Sequence, residues 1–301
     1  MSIYFNMHIV TGFIGGINSR KDRDLTKYMD FGRELLSVEI PTTCFIERYA
    51  WHQYILPSIT SPISEEHSFV YSCKGGVMDG IHKVFRYVVC GHVRFVFFEK
   101  EDLFLWPYRE MASKFSLNTG NPGKDTLGYM MVQCQKVEWV SIALSFATES
   151  FATESSSASL MLRPDDEYAW IDFGAFHMFR GSVDGFQMAL YQLRNRIDKR
   201  VSREGCSKVI RMAGCWEPYR HSGGDIYRDV NWTFAGSVFG GGAAAIREFG
   251  LRMREKCLMV LRERNSIMWE INVWVLIFLD EPGLFSWYKS DHSPVLFDGY
   301  V

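Results

Sequence analysis

One short apolar segment constrains the fold of this chain more than any other. Tyr168 to Ile171 form an apolar run that ends in Asp172, and Gly174 follows two residues later. Such a strand is typical of a sheet covered on both faces, and a carboxylate at its carboxyl end can point into a ligand-binding crevice. The segment therefore predicts either a ligand-binding aspartate or a strand that ends in a solvated turn.

The composition is typical of a globular protein with a sizeable core. Of the 301 residues 47% are hydrophobic, and the formal net charge is -2. Because the net charge is near zero, we expect no nucleic-acid partner and no surface for acidic lipids. The basic run from Arg194 to Arg203 predicts a solvated helix face. No segment has the composition of a linker, so we expect a single domain over residues 1–301.

The cysteines and the apolar segments indicate the cellular compartment in which the protein is expected. The 7 cysteines are widely spaced and form no Cys-x-x-Cys pair, which predicts reduced thiols rather than a zinc site or a disulfide framework. The amino terminus lacks the features of a signal peptide. The most apolar segment, Ile271 to Leu279, is too short for a transmembrane helix. We therefore expect a soluble, cytoplasmic protein.

Strands and helices are predicted to alternate along the first half of the chain, which indicates an α/β sheet with parallel neighbours. The predicted strands are His8–Ile14, Thr42–Glu47 and Val93–Phe98, and the predicted helices are Arg20–Leu36 and Lys124–Leu144. Tyr54–Val89, rich in proline, serine and glycine, predicts a hairpin or an irregular insertion. The duplicated sequence at Ser145–Ser150 and Ser150–Ser155 is expected to extend the end of the second helix.

Helices are expected at three places in the second half of the chain. Helices are predicted over Phe186–Val201, Ala243–Arg264 and about Ser266–Leu279. The aromatic and glycine-rich segment Asn231–Gly242 is expected to lead into the second of these helices. No regular period is visible in the tail from Trp287 onward.

Two features of the second half are candidates for chemistry, each with a structural alternative. Gly240 and its two following glycines precede a helix, where backbone N–H groups favour anions; they also suit a close backbone approach. Glu270 lies in a very apolar stretch, where burial would raise its pKa toward that of a general base. Its alternative is an outward-facing helix position.

Basic side chains supply the remaining candidates. Lys136 would neutralise phosphate as a point charge, or it is an exposed helix lysine. His292, beside Asp291, is a possible metal ligand if the tail folds back over the site, and His177 competes with it. For both histidines, the alternative is an ordinary structural or exposed side chain.

Several segments, taken in order from about residue 7 to about residue 290, resemble the HtrL/YibB family. They are His8–Phe13 with Arg20, Phe45–Glu47, Lys136, Trp170–Gly174, Trp232–Gly241 and Trp269–Ile271. That family looks like a branch of the GT-A glycosyltransferases. The resemblance implies a single GT-A-like α/β domain, with a Rossmann-like central mixed sheet flanked by helices. About residues 1–175 would bind the nucleotide sugar, and about residues 176–301 the acceptor.

The resemblance also assigns site residues. Those for the donor are Thr11, Gly12, Phe13, Arg20, Lys136, Asp172 and Gly174, and those for the acceptor and sugar are Trp232, Ala235, Gly236, Gly240 and Gly241. Mn²⁺ or Mg²⁺ would be held by Asp172 and His292. Glu270 falls where inverting members place their base. The sequence departs from the family's Asp-x-Asp motif because Gly174 stands at the second acidic position.

The implied function is metal-assisted sugar transfer from a nucleotide-diphosphate donor, with a UDP-sugar favoured, to a hydroxyl of an oligosaccharide or glycan acceptor. Viral or bacterial surface glycans are the products that the resemblance suggests. Because Gly174 leaves the metal site one carboxylate short, a non-catalytic carbohydrate-binding or assembly protein is the alternative. A phosphate-handling hydrolase with an aspartate-based metal site is a third possibility.

Overall fold

The computed structural model describes residues 6–16, 24–73, 82–150, 166–217, 224–291 and 293–300. Within this part of the chain the strands are β1 (Met7–Phe13), β2 (Thr42–Ile46), β3 (His67–Ser72), β4 (His82–Cys90), β5 (Val93–Phe97), β6 (Glu167–Ile171), β7 (Ile210–Gly214), β8 (Val238–Gly242) and β9 (Phe285–Lys289). The longer helices are α1 (Leu25–Leu36), α2 (Leu127–Ser150), α3 (Val183–Glu204), α4 (Ala243–Arg264) and α5 (Glu270–Asp280).

These strands form a single mixed sheet in the order β3-β4-β5-β2-β1-β6-β8-β7-β9. Its centre is parallel: β1 pairs with β2 and β6, and β2 pairs with β5. Strand β4 runs antiparallel to β3 and β5, and β8 runs antiparallel to β6 and β7. The fold is therefore mixed α/β, with helices flanking a large sheet.

The chain changes direction across the sheet between β1 and β6. From β1 it proceeds to β2 and later to β5 on one side, and it then returns through α2 to β6 on the other side of β1. In open α/β sheets such a switch point opens a crevice at the carboxyl ends of the two strands. Gly12–Gly15 and Asp172–Gly174 therefore lie at the same edge.

Alternate residues of the central strands face two helical layers, as the two-residue period of a strand requires. Val10 and Trp170 pack into the core beneath α2, α4 and α5. Ile9 and Ile171 pack into the core beneath α1 and α3. The parallel centre of the sheet is thus covered on both faces, which explains why β6 is apolar along most of its length.

The predicted strands at His8–Ile14, Thr42–Glu47 and Val93–Phe98 are confirmed, as is the hairpin within Tyr54–Val89, which is β3 and β4. Helix α1 begins later than the predicted Arg20, because Asp24 caps it by accepting from the N–H of Thr26 at 3.0 Å. Residues 17–23 lie outside the described chain. None of the 7 cysteines, all of which lie in the described chain, forms a disulfide, as predicted.

The segment Asn231–Gly242 leads into α4 as predicted, and it ends in a buried strand, β8, that the sequence does not predict. The prediction of a solvated helix face at Arg194–Arg203 holds only in part. The basic run at Arg194–Arg203 is not uniformly solvated, because Arg200 is buried and forms an ion pair with Glu167 of β6. A strand buried on both faces tolerates such a carboxylate only when a partner neutralises it.

Candidate functional site

A cavity of about 380 Å³ lies at the switch point of the sheet. Its lining comes from four places: Gly12–Gly15 at the end of β1, Trp170 of β6 with Asp172–Gly174 and His177 after it, Leu25 and Tyr28 of α1, and one face of α2. Its volume falls in the range of about 300–1,000 Å³ that is typical of small-molecule sites.

One face of α2 forms a wall of the cavity. The residues on this face are Tyr129, Val132, Gln133, Lys136 and Trp139. They recur at steps of three and four residues, so they share one side of the helix. The opposite side of α2 is also buried: Glu138 forms an ion pair with Arg254 at 2.6 Å and accepts from the Tyr71 hydroxyl at 2.9 Å. Both sides of α2 are therefore buried, and the alternative of an exposed lysine at position 136 does not hold.

Lys136 is the centre of the polar network beside the cavity. It is only 4% exposed, and its Nζ lies 3.0 Å from Asp172 Oδ1 and 3.1 Å from Glu270 Oε1. It also donates to the Gly236 carbonyl oxygen at 3.0 Å. An ammonium has three N–H donors, so these three acceptors satisfy it completely.

The pKa values in this network follow from burial and charge. Burial alone would lower the pKa of Lys136, but the charges of Asp172 and Glu270 outweigh it and raise this pKa above its ordinary value. Burial raises the pKa of Glu270, and the charge of Lys136 offsets this only in part. The single positive charge of one ammonium cannot fully neutralise the negative charges of two carboxylates. Lys136 is therefore held charged, and Glu270 binds a proton more readily than an exposed glutamate does.

Asp172 is held by three contacts. Its backbone N–H donates to the Ser237 carbonyl at 2.9 Å, and its Oδ1 accepts from Trp170 Nε1 at 2.8 Å as well as from Lys136. Its Oδ2 forms no hydrogen bond with any described residue, and the side chain is 31% exposed. One oxygen thus fixes the carboxylate, and the other faces the cavity.

Two glycines make room for aromatic side chains in the cavity wall. A Cβ atom at Gly12 would lie 2.9 Å from Cζ3 of Trp139, and one at Gly174 would lie 2.5 Å from Cε2 of Tyr28. The Gly174 contact explains the departure from the Asp-x-Asp motif in physical terms: the ring of Tyr28 occupies the space that a second aspartate would need.

The turn after β1 is fastened by a carboxylate. Glu47, which follows β2, accepts from the backbone N–H of Gly15 at 2.7 Å and from that of Gly16 at 3.0 Å. Consecutive N–H groups of this kind form an anion-binding concavity. Here an internal anion fills it, and burial raises the pKa of Glu47 despite these two hydrogen bonds.

The sequence-predicted donor residues mostly meet at the cavity. Those that line it are Gly12, Phe13, Lys136, Asp172 and Gly174. Thr11 is fully buried and does not line it. Arg20 and His292 lie outside the described residues.

The residues predicted for the acceptor and for catalysis do not line the cavity. Gly240 and Gly241 lie inside β8, where Gly240 pairs with Ala169 and a Cβ atom would collide with the backbone of Tyr168. The lack of a side chain at these two positions allows close packing of the sheet. The predicted acceptor role does not fit them.

Trp232, Ala235, Gly236 and Glu270 also stand away from the cavity surface. Trp232 packs edge-on against Trp269 at 5.5 Å, and Ala235 is fully buried with its N–H bonded to Ala213. Glu270 is 1% exposed, and its Oε2 is buried without a hydrogen-bond partner. An acceptor hydroxyl in the cavity therefore has no access to this carboxylate, which does not fit the predicted role of base.

The described donor atoms do not form a preassembled metal site. No group of three or more His, Cys, Asp or Glu side chains in the described chain stands close enough to hold a metal ion. Asp172 offers one free oxygen. Mg²⁺ is commonly bound through one or two carboxylates together with substrate phosphates. The donor set thus fits an ion shared with a bound diphosphate better than an ion held by protein alone.

Aromatic residues are the part of the site that the sequence alone does not reveal. Tyr28, Tyr129 and Trp139 line the cavity, and Trp139 stacks on Trp170 with ring centroids 5.6 Å apart. The signal for two of them was present, because Tyr129 and Trp139 lie at helical spacing from Lys136. His177, a competing candidate in the sequence, is at the cavity.

Comparison of the chain with protein-family models, with curated proteins and with solved structures finds no match. No helix in the described chain is long and apolar enough to cross a membrane. The fold and the site therefore define a mixed α/β protein with a ligand-sized, aromatic cavity at the switch point of its sheet.

Proposed function

We propose that this protein is a nucleotide-sugar glycosyltransferase of the GT-A type, which transfers a sugar from a UDP-sugar to a glycan hydroxyl. The observation that carries the proposal is the cavity between the ends of β1 and β6, with the Asp172 carboxylate and the Lys136 ammonium at its wall. Doubly wound sheets bind nucleotides in this crevice. The parallel strands β5, β2, β1 and β6 would form the Rossmann-like donor half that the family resemblance implies.

The cavity lining suits the parts of a nucleotide sugar. The aromatic rings of Tyr28 and Tyr129 offer flat apolar surfaces for a base or a sugar ring. The glycine turn after β1 allows a ligand to approach the backbone closely. The free Oδ2 of Asp172 is available to a ribose hydroxyl or to a metal-bound diphosphate.

Charge balance explains why a cation would accompany the donor. Lys136 is already shared by Asp172 and Glu270, so little positive charge is left for a diphosphate. When bound, Mn²⁺ or Mg²⁺ would offset the charge of the departing diphosphate. Asp172 is the described side chain that would hold it. Lys136 keeps the Asp172 carboxylate oriented for this role.

Thermal unfolding with and without ligands tests the proposal. A ligand that binds only the folded state stabilises it by about 2.7 kcal/mol at 100 times its dissociation constant. We expect millimolar UDP to raise Tm, the rise to be larger with Mn²⁺ than with EDTA, and Mn²⁺ alone to have little effect. Absence of any shift with UDP under all these conditions would contradict the proposal.

A second candidate is a protein that binds nucleotide or carbohydrate without turnover. It is favoured by the enclosure of Glu270, which leaves the predicted base without contact with the cavity. An assay of UDP release from a panel of UDP-glucose, UDP-galactose and UDP-N-acetylglucosamine separates the two functions. Binding of UDP with no release from any donor would favour the second candidate.

A further inference from the structure

A histidine lines the cavity and stands outside the network of Lys136. His177 lies on the short helical turn Ala175–Phe179, directly after β6 and Asp172. Its side chain is exposed and lines the same cavity. A transfer reaction needs a group there that accepts the proton of the attacking hydroxyl.

The carboxylates near the cavity are poorly placed for that task. Glu270 is enclosed, with Oε1 bound to Lys136. Asp172 has Oδ1 bound to Lys136 and Trp170, and its other oxygen is needed for the donor under the proposed function. The Tyr129 phenol is a poor source of a basic oxygen near neutral pH, because burial raises its pKa.

The ring of His177 is oriented by a backbone contact. Its Nδ1 lies 2.5 Å from the carbonyl oxygen of Gly174. Because a carbonyl only accepts, Nδ1 must carry the hydrogen, and in the neutral ring the lone pair is then on Nε2. Nε2 forms no hydrogen bond with any residue that the structure describes, so the ring combines a fixed tautomer with an available lone pair, as expected of a histidine base.

We infer that His177, and not Glu270, is the general base of the transfer reaction; this inference rests on the proposed function. Nε2 takes the proton of the acceptor hydroxyl as the hydroxyl oxygen bonds to the anomeric carbon. The bond from that carbon to the diphosphate oxygen breaks, and its electron pair leaves with the nucleoside diphosphate. The imidazolium then releases its proton to solvent.

The test is chemical rescue of His177→Ala. With a UDP-sugar that the wild-type protein turns over, we expect kcat to fall by about 100-fold to 10,000-fold, the usual contribution of a general base. UDP binding, measured by calorimetry, should change less than about threefold because Nε2 does not hold the donor. Added imidazole should restore part of kcat to His177→Ala and should have no effect on the wild type.

Three comparisons make the result decisive. His52→Ala removes an exposed histidine that does not line the cavity and should keep wild-type kcat. His177→Gln keeps the size of the side chain and should lose kcat without rescue. Glu270→Gln should retain far more activity than His177→Ala.

Two outcomes would overturn the inference, and they differ from failure of the proposed function. Wild-type kcat in both His177 variants would remove His177 as the base, as would loss of kcat in His177→Ala that imidazole does not relieve. If wild-type protein binds no UDP and releases none from any donor, the proposed function fails and the inference fails with it. If the wild-type protein turns over a UDP-sugar and both His177 variants keep its kcat, only the inference about His177 is rejected and the proposed function stands.

Discussion

At the scale of single residues, the site is organised by Lys136. The sequence identifies Lys136, Asp172 and Glu270 as separate candidates, and it gives no sign that one ammonium joins them. Lys136 and Glu270 are 134 positions apart, so their contact depends on how α2 and α5 pack. A lysine in a helix is ordinarily exposed, which is why its burial could not be read from local pattern.

Substitution of Lys136 should reveal how much its charge contributes to stability. Lys136→Met keeps the length of the side chain but removes its ammonium. Glu270 is then left buried without its ionic partner. Breaking a buried pair in this way costs about 3–5 kcal/mol, and we expect a loss of that size in the free energy of unfolding by urea. Adding Glu270→Gln should recover part of the loss, because the carboxylate that then still lacks Lys136 is Asp172, which is partly exposed. An equal loss in the single and double variants would contradict the assigned contact.

At the scale of elements, local signals predicted some strands and missed others for physical reasons. Strands β1, β2 and β5 are rich in β-branched and aromatic residues, which favour strands. Strand β8 carries three consecutive glycines, and glycine weakens a strand taken alone. Its glycines are explained by its neighbours, since Gly240 lies against the backbone of Tyr168 and the hydroxyl of Tyr300. Such close approaches are invisible in a single sequence.

The contact between α1 and the end of β6 can be tested at Gly174. Its φ is -92°, which any residue adopts, so a substitution there meets a problem of space and not of backbone conformation. Gly174→Asp would restore the second acidic position but press on Tyr28. We expect it to destabilise the fold by about 1–3 kcal/mol, as overpacking commonly does.

A double-mutant cycle checks this cause. In a Tyr28→Ala background the ring is gone, so Gly174→Asp should cost less than half as much in the free energy of urea unfolding. If the cost is the same with and without Tyr28, the ring is not the reason for the glycine.

At the scale of the whole molecule, the sequence predicts an α/β protein with parallel strands, and the structure agrees. The order of the strands and the antiparallel placement of β8 between β6 and β7 could not be predicted, because pairing partners such as Trp170 and Phe239 are far apart in the chain. The crevice could be predicted from the predicted strand ends at Ile14 and Asp172. Its aromatic walls could not, since they depend on which face of α2 meets the sheet.

The stability of the whole fold should depend on pH through His8 in β1. Burial, and then the charge of Arg94, lower the pKa of His8 well below 6.5, while its Nε2 bonds to Thr43 Oγ1 at 2.9 Å and its ring packs on Tyr168. The folded state therefore resists protonation of His8 and the unfolded state does not. The stabilising contribution is complete above pH 6.5 and is lost as the pH falls toward the lower folded-state pKa.

Urea unfolding at about pH 7.5 and about pH 5.5, on either side of the ordinary histidine pKa, measures this effect. The wild-type free energy of unfolding should be lower at the acidic pH than at the higher pH. This difference should be smaller in His8→Gln, because glutamine cannot take up a proton. The difference between pH values is the relevant quantity, because the substitution itself also changes the bond to Thr43. A fall of the same size in both proteins would assign the pH dependence to other groups.

The shared ammonium of Lys136 also limits how this chain can evolve. Because Lys136, Asp172 and Glu270 meet at one nitrogen, a change at position 136 strands a carboxylate, and a change at position 270 leaves the ammonium less well neutralised. Intermediate sequences with one change are penalised, so the two positions should covary. In any descendant or relative of this protein that lacks a positive charge at position 136, we expect position 270 to be uncharged as well.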